Sequence, residues 1–366
     1  MRRELGMFVA FLCMCAGLWF SNPDFLGSSN AINTTRQISM LGIYSLGMAF
    51  VIIAGGIDLS IGSVIGLTGV LIAKLSSAGA GGLGYSLWIG IPVALGAALF
   101  VGLLQGLLIT RLKLQPFIVT LAGMLLLRGV SQTIVEGGTL SLGGSPLLHL
   151  ANGGMVEVAG EPLISYPVVI FAAAAAVATY VLHFSVFGRY VYAIGGNREA
   201  AEYSGINVKR VETMTYVISA GLGGVAGICY AAYIGQMSQQ VGVAYELYAI
   251  SAAVLGGCSL RGGQGTVLGI VIGSAIMRVI DNGINMFQIP YVDERGVARI
   301  WRLNPNWTFV IVGAVILLAV VLDQIVHMLQ SARRTRAAAT AAGSTSRQES
   351  GDSPFQSRHD AQAALQ

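Results

Sequence analysis

The stretch GGIDLSIGS, residues 55–63, separates two long apolar segments of this 366-residue chain. It is polar and rich in glycine, and it carries one carboxylate. Irregular backbone is tolerated at membrane depth only where protein or a water-filled cavity covers it. Transporters use such broken helices at their binding sites, and an acid inside a span marks a candidate functional site. The stretch therefore predicts a broken helix beside a transport pathway, with these candidate residues: Gly55, Gly56, Asp58 and Ser60.

The composition is typical of a membrane protein. Hydrophobic residues make up 54% of the chain and charged residues only 10%, whereas soluble domains carry about 25% charged residues. Mean hydropathy is +0.71. The net charge of +4 is too small to indicate a nucleic-acid partner. The four cysteines lack the spacing of metal ligands and the histidines are scattered, so we predict no metal site and no cofactor.

Ten apolar segments approach the length of about 20 residues that a membrane-spanning helix needs. The first and the eighth are short, and the ten candidates are 5–20, 31–54, 60–78, 86–110, 115–135, 164–184, 211–234, 244–257, 265–287 and 307–327. With the N-terminus in the cytoplasm and the spans alternating, most of the 21 Lys and Arg residues lie inside, as the positive-inside rule requires.

The sequence thus predicts an all-α membrane protein of about ten transmembrane helices, some of them broken and rich in glycine. Residues 1–330 form the transmembrane domain in this prediction, and the polar residues 331–366 form a disordered cytoplasmic tail. The first apolar segment is interpreted as a retained helix. A cleaved signal peptide is the alternative, although no cleavage-site pattern follows the segment.

Asp58 has two interpretations. An Asp-Leu-Ser sequence after two glycines fits a helix N-cap, in which the side chain of Asp58 or Ser60 accepts hydrogen bonds from free backbone N–H groups. A helix end that points at a pathway also offers donors to a polyhydroxyl or anionic solute. The two roles are compatible. In addition, residues 55–62 weakly resemble residues 256–263, and internal repeats are common in transporter folds.

Polar residues also occur near the outer end of the ninth span. Arg278 and Asp281 are three residues apart on one helix face, so they are expected to neutralise each other. Such a pair either stabilises helix packing or lines a pathway. Asp281, Asn282 and Asn285 are therefore further pathway candidates.

The predicted inside loop, residues 185–210, contains the signals of a short helix. Asn197 fits its N-cap, and Gly205 fits the left-handed residue that follows its C-terminus. A short amphipathic helix at this place is either a docking element for a cytoplasmic partner or a helix that lies on lipid headgroups.

Motifs of catalysis are absent from the sequence. There is no G-x-x-x-x-G-K-[ST] phosphate loop, so the chain is not expected to hydrolyse ATP by itself. There is also no H-E-x-x-H and no G-x-S-x-G motif. We therefore predict that the chain is not an enzyme.

Five motifs in order resemble the membrane permease subunit of ribose-type ABC importers: GGIDLSIGS (55–63), PFIVTLAGMLLLRG (116–129), GRYVYAIGGNREAAEYSGI (188–206), YEL (245–247) and AAVLGGCSLRGGQGTVLGIVIG (252–273). The resemblance covers residues 31–327, and a more distant likeness to branched-chain amino-acid permeases exists. It implies a multi-pass protein of the bacterial inner membrane that imports a sugar or sugar-like solute. The implied partners are a cytoplasmic ATPase, a periplasmic solute-binding protein and a second permease, either identical or homologous.

The resemblance also implies roles for particular residues. The GGIDLS element and the YEL region, including Glu246, are expected in the core of the translocation half. The ATPase-docking candidates are Gly195, Gly196, Asn197, Ala200, Ala201, Gly205 and Ile206. An ion-gradient-driven secondary transporter of a small polar solute, with Asp58 or Asp281 as its ion site, is the alternative. An intramembrane enzyme or scaffold ranks last, because no nucleophile–base or metal constellation is present.

Overall fold

The computed structural model describes the residues 2–79, 81–158, 161–292, 298–302, 304, 306–315, 317–318, 321, 324 and 328. The predicted tail over 331–366 lies outside the described residues. The chain divides into two compact units, Met1–Ile316 and Leu317–Gln366. All elements described below belong to the first unit.

Twelve α-helices dominate the described part of the chain: α1 (Arg2–Ser21), α2 (Ser28–Ile53), α3 (Ile61–Ser76), α4 (Leu87–Arg111), α5 (Pro116–Val135), α6 (Leu148–Asn152), α7 (Tyr166–Thr179), α8 (Val186–Gly196), α9 (Arg198–Tyr203), α10 (Val208–Ile234), α11 (Tyr245–Leu255) and α12 (Val267–Met286). A 3-10 turn, Pro23–Leu26, joins α1 to α2. A π-helical turn, Tyr180–Phe184, extends α7.

Six short strands form three antiparallel pairs within the loops. The pairs are β1 (Thr139–Ser141) with β4 (Gln236–Ser238), β2 (Gly154–Val158) with β3 (Glu161–Ser165), and β5 (Gln288–Val292) with β6 (Ala298–Arg302). The first pair joins the segment after α5 to the segment after α10. The other two are local hairpins, each formed by two strands that follow one another along the chain.

The structure confirms an all-α membrane protein but not the count of ten spans. Among the described residues, seven helices are long and apolar enough to cross a membrane: α1, α2, α4, α5, α7 with its π-helical turn, α10 and α12. The apolar helices α3 and α11 are shorter, with 16 and 11 residues. The last predicted span, 307–327, is described only in part.

The core lies where α10 packs against α2, α3 and α4. Every residue from 39 to 53 of α2 is buried, which is typical of a helix that is apolar on all faces and enclosed by others. Small residues permit the close approach: a Cβ built on Gly47 of α2 would lie 2.9 Å from the Cα of Ser219 in α10. In contrast, α1 lies at the periphery, where Leu18 packs on Gly283 of α12.

A glycine-dependent cap ends α2 and starts the break. The N–H of Gly55 donates to the carbonyl of Ile52, and the N–H of Gly56 donates to that of Val51, both at 2.9 Å. This pattern is the Schellman motif, which needs a residue with positive φ after the helix, and Gly55 has a φ of 89°. The break therefore begins without leaving the last turn of α2 unpaired.

The predicted internal repeat corresponds to a second cap of the same kind at the end of α11. Gly257 and Cys258 donate to the carbonyls of Val254 and Ala253, again at 2.9 Å. Gly257 has a φ of 87°, so it is the structural counterpart of Gly55. In the sequence repeat, Gly55 is aligned with Gly256, the residue before Gly257. The structural repeat is therefore offset from the sequence repeat by one residue.

Gly256, just after α11, and Gly269 of α12 are in close backbone contact, and this contact yields a stability prediction. A Cβ on Gly269 would collide with the backbone carbonyl of Gly256. Gly269→Ala should therefore destabilise the protein by about 1–3 kcal/mol, the usual result of overpacking. The melting temperature in detergent measures the loss. Gly96→Ala on α4, where nothing lies within 4 Å of the added Cβ, is the matched control, and an equal melting temperature for the two variants would contradict the prediction.

Candidate functional site

Asp58 connects the break before α3 to the central helix α10. The side chain is only 1% exposed. Its Oδ1 accepts hydrogen bonds from the backbone N–H of Ser60 at 2.9 Å and from the Ser60 hydroxyl at 2.6 Å. Its Oδ2 accepts from the hydroxyl of Ser219 in α10 at 2.7 Å. Ser60 is the N-cap residue of α3 but makes no side-chain capping bond. Asp58 therefore supplies the acceptor for a backbone N–H of the break, and Ser219 compensates part of the cost of burying the carboxylate.

Gln105 of α4 extends this network to a third helix. Its Oε1 lies 3.0 Å from the Ser60 hydroxyl oxygen, and its buried Nε2 has no partner among the described residues. The single hydroxyl proton of Ser60 is already donated to Asp58. Turning the Gln105 amide by 180° lets Nε2 donate to the hydroxyl oxygen. The polar chain from Gln105 through Ser60 and Asp58 to Ser219 thus fixes the break between α4 and α10.

Glu246 lies in the first turn of α11, against the first turn of α3. It is 8% exposed, and its Oε2 has no hydrogen-bond partner among the described residues. A Cβ on Gly62 would collide with this oxygen and with the carbonyl of Gly242. The guanidinium of Arg128 in α5 donates to the same carbonyl at 3.5 Å. The N-terminal ends of two short helices therefore meet here, and Asp58 and Glu246 lie close to their positive dipole ends.

A cleft of about 620 Å³ opens beside the break. It lies between the C-terminal ends of α2 and α4 and the N-terminal ends of α9 and α10, on the side that the positive-inside rule predicts to be cytoplasmic. Its lining joins two sets of predicted residues: the pathway candidates Gly55 and Gly56, and the docking candidates Gly195, Gly196 and Asn197.

Tyr216 of α10 lines the same cleft, and nothing in the sequence singles it out. Its side chain is 3% exposed, and its hydroxyl has no partner among the described residues. A Cβ on Gly56 would lie 2.5 Å from the hydroxyl oxygen, so a glycine is needed beside it. Buried tyrosine hydroxyls usually have a partner. This hydroxyl lacks a partner among the described residues, although Tyr216 lines the cleft.

The predicted short helix of the inside loop is present as α9, with both predicted caps. The Asn197 side chain accepts from the N–H of Ala200 at 3.0 Å. Gly205 has a φ of 81°, and the N–H of Ile206 donates to the carbonyl of Ala201 at 3.2 Å, as in a Schellman motif. Ala200 is exposed and Ala201 is buried, so only the first offers its side chain to a partner. Docking itself stays a prediction.

Two features of α9 distinguish its exposed surface. Arg198 donates from Nε and NH2 to the two carboxylate oxygens of Glu212 in α10, at 2.8 and 3.2 Å. The hydrogen bond to Glu212 raises the pKa of Arg198, so the guanidinium stays charged. Tyr203 is 91% exposed. Tyrosine is enriched among the residues that anchor interfaces, so an exposed tyrosine on a short polar helix is a typical anchor. The sequence already showed a tyrosine within this polar segment.

Gly195 brings the docking segment into backbone contact with both repeats. A Cβ on Gly195 would collide with the carbonyl of Ile53, at the end of α2, and with the N–H of Gly263, in the loop after α11. The Gly263 N–H also donates to the Ile53 carbonyl at 2.8 Å. The segment before α9 therefore touches the end of α2 and the loop after α11 without an intervening side chain.

The remaining pathway candidates form a separate group on α12. Asp281 makes an ion pair with Arg278 at 3.0 Å. Asn282 exchanges two hydrogen bonds with Asn30 of α2, at 2.8 and 3.2 Å. Asn285 is exposed and donates to the Asp281 carbonyl at 2.8 Å. The Asn282 bonds link α12 to α2, as a packing role requires, whereas the other two contacts lie within α12. The group does not line the cleft.

The chain was compared with known proteins. A family model described as "Branched-chain amino acid transport system / permease component" matches residues 30–320. The ribose import permease protein RbsC of Haemophilus influenzae is 38% identical over 287 residues, which cover 78% of this chain and 86% of that protein. RbsC of Bacillus subtilis is 35% identical over 325 residues, covering 88% and 93%. The galactose/methyl galactoside import permease protein MglC of Escherichia coli is 34% identical over 339 residues, covering 88% and 94%. No solved structure matches.

The contacts of Asp58 predict different outcomes for two substitutions. Asp58→Asn keeps one acceptor for the Ser60 N–H, and the Ser219 hydroxyl can turn to accept from the new amide, so we expect a change in stability below about 1 kcal/mol. Asp58→Ala leaves buried donors unpaired at about 1–3 kcal/mol each. Thermal unfolding of the purified variants measures both changes.

A double variant separates the hydrogen bonds from the loss of volume. If Asp58→Ala is damaging because it leaves the Ser219 hydroxyl unpaired, Ser219→Ala should recover part of the lost stability in the Asp58→Ala background. Strictly additive losses, or equal damage from the Asn and Ala variants, would show that the network has no such role.

Proposed function

This chain belongs to the family of transport-system permease components whose model matches residues 30–320, and we propose that it is the membrane subunit of an ATP-driven importer of a sugar or sugar-like solute. The observation that carries the proposal is the similarity to ribose and galactose import permeases along most of both chains. Its place is the bacterial inner membrane, which the chain crosses several times.

The proposal includes separate partners, because the sequence contains no phosphate loop that could bind ATP. A cytoplasmic ATPase supplies the energy, and a periplasmic binding protein delivers the solute. Two permease copies, or this chain and a homologous permease, form the membrane unit. In this arrangement residues 1–330 form about ten spans with the N-terminus in the cytoplasm, and residues 331–366 form a cytoplasmic tail.

We assign the translocation pathway to the broken helices. Asp58, Ser60 and Glu246 lie where α3 and α11 begin, and Gly55 and Gly56 lead from there to the cleft. The cleft then serves as the cytoplasmic end of the pathway. The second group, Asp281, Asn282 and Asn285, belongs to its outer end in this proposal.

The two acids considered as ion sites of a secondary transporter, Asp58 and Asp281, are engaged by protein donors. Both oxygens of Asp58 accept from serine groups, and Asp281 pairs with Arg278. No observation therefore favours the secondary transporter, and it is not proposed.

Reconstituted transport tests the function. The chain is first purified gently from its native membrane, and the ATPase and binding protein that accompany it are identified by mass spectrometry. The complex is then placed in proteoliposomes that hold ATP in the lumen, with the binding protein and radiolabelled ribose or galactose outside, and uptake into the lumen is measured. We expect uptake that needs ATP and persists when an uncoupler removes the ion gradient. Uptake that collapses with the uncoupler while ATP is maintained would overturn the proposal.

The exposed face of α9 yields a docking prediction. Tyr203→Ala should weaken binding of the ATPase subunit by about thirtyfold, which corresponds to the roughly 2 kcal/mol of an interface hot spot. Binding to the permease in nanodiscs gives the affinity. Tyr85→Ala is the matched control, because this tyrosine is 50% exposed and lies before α4 at the predicted outer end. Equal affinities of the two variants would remove α9 from the docking surface.

A further inference from the structure

Positive charge is in excess in the cleft beside the break. Four basic and two acidic side chains line it. Both acidic side chains face Arg198, with Glu212 at 2.8 Å and Glu202 at 4.0 Å. The other basic side chains of the lining are Lys113, Lys209 and Arg261.

These three basic residues come from separate elements. Lys113 lies in the turn between α4 and α5, Lys209 in the first turn of α10, and Arg261 in the loop between α11 and α12. Neither lysine has a carboxylate within ion-pair distance among the described residues. The positive-inside rule accounts for basic residues at this end of the molecule but not for their convergence. Other basic residues at the same end do not line the cleft: Arg111, Arg189 and Arg210.

One further observation points to a ligand. The Tyr216 hydroxyl, on the wall of the cleft, is buried and has no protein partner in the described part of the chain. A ligand hydroxyl would satisfy it. The volume of about 620 Å³ lies within the range of small-molecule sites.

The charge excess defines the chemistry of this ligand. Ammonium and guanidinium groups are donors only, so they can satisfy the oxygen of a neutral hydroxyl but not its proton. A phosphate ester instead presents anionic oxygens, which form strong charge-assisted hydrogen bonds with Lys and Arg. Its sugar part would bring hydroxyl groups that can hydrogen-bond to the Tyr216 hydroxyl.

We propose that the cleft binds a soluble phosphate ester of the imported sugar and that this ligand slows import from the cytoplasmic side. The sugar part of this ligand rests on the proposed function, whereas the phosphate part rests on the charges of the cleft. Phosphoryl transfer to the imported sugar is the class of reaction that produces such an ester. An ester bound against Gly55 and Gly56 blocks the cytoplasmic end of the pathway when that product accumulates.

Binding of radiolabelled ribose 5-phosphate to the permease in phosphatidylcholine nanodiscs tests the site. We expect saturable binding that is at least about tenfold tighter than that of ribose or of inorganic phosphate. The double variant Lys113→Gln/Lys209→Gln should lose at least about tenfold in affinity, since charge-assisted hydrogen bonds are removed. Lys74→Gln, at the predicted outer end, is the matched control and should bind as the unsubstituted protein does. Both exchanged lysines are exposed, and an unchanged melting temperature verifies the fold; the single variants replace the double one if that temperature falls.

Several outcomes would overturn the inference. They are the absence of saturable binding, equal affinity for ribose and its 5-phosphate, and unchanged affinity in the lysine variants. Displacement of the ester by phosphatidylglycerol added to the nanodiscs would assign the cleft to a lipid headgroup and equally overturn the soluble ligand. In the transport assay, ribose 5-phosphate on the ATPase side should inhibit uptake. Ester binding without any ATP-driven uptake would contradict the proposed function alone, whereas uptake without ester binding would contradict this inference alone.

Discussion

A backbone N–H cannot remain unpaired in hydrocarbon, so a helix can be interrupted there only where protein atoms supply the missing partners. At the break between α2 and α3, Gly55 and Gly56 bond to the last turn of α2, and Asp58 accepts the N–H of Ser60. The buried carboxylate in turn needs a donor, which Ser219 of α10 provides. The central position of α10, and the small residues that let it approach α2, follow from this requirement.

The need to pair every backbone N–H group also explains which elements could be predicted from the sequence. Spans depend on local apolar composition, and caps depend on a few neighbouring residues, so the long helices and α9 between Asn197 and Gly205 were predictable. The left-handed Gly205 after α9 was predictable for the same reason. The repeat was visible too, but only the hydrogen bonds place Gly257, rather than Gly256, opposite Gly55.

Tertiary packing decided the rest. The pairing of β1 with β4 joins segments separated by five helices, and no local pattern specifies it. Tyr216 belongs to the candidate site only because α10 presses its hydroxyl against Gly56. Packing also divides the polar candidates, since Asp281 pairs with Arg278 on its own helix, α12, while Asp58 bonds to Ser219 of α10. The backbone contact of Gly195 with Ile53 and Gly263 also matters for function. No flexible side chain lies between these elements to absorb a displacement of one relative to another.

The shortness of α11 has a consequence for membrane insertion during synthesis. At 1.5 Å per residue its 11 residues span about 16 Å, roughly half of the 30 Å hydrocarbon layer. Such a segment cannot enter the bilayer as an independent spanning helix. The irregular segment that leads into α11 packs its backbone against Gly62 and Gly66 of α3. Helix α3 is synthesised much earlier. The packing surface of α3 must therefore stay uncovered until α10 has crossed the membrane. Assembly of this half of the protein is thus completed late and in a fixed order.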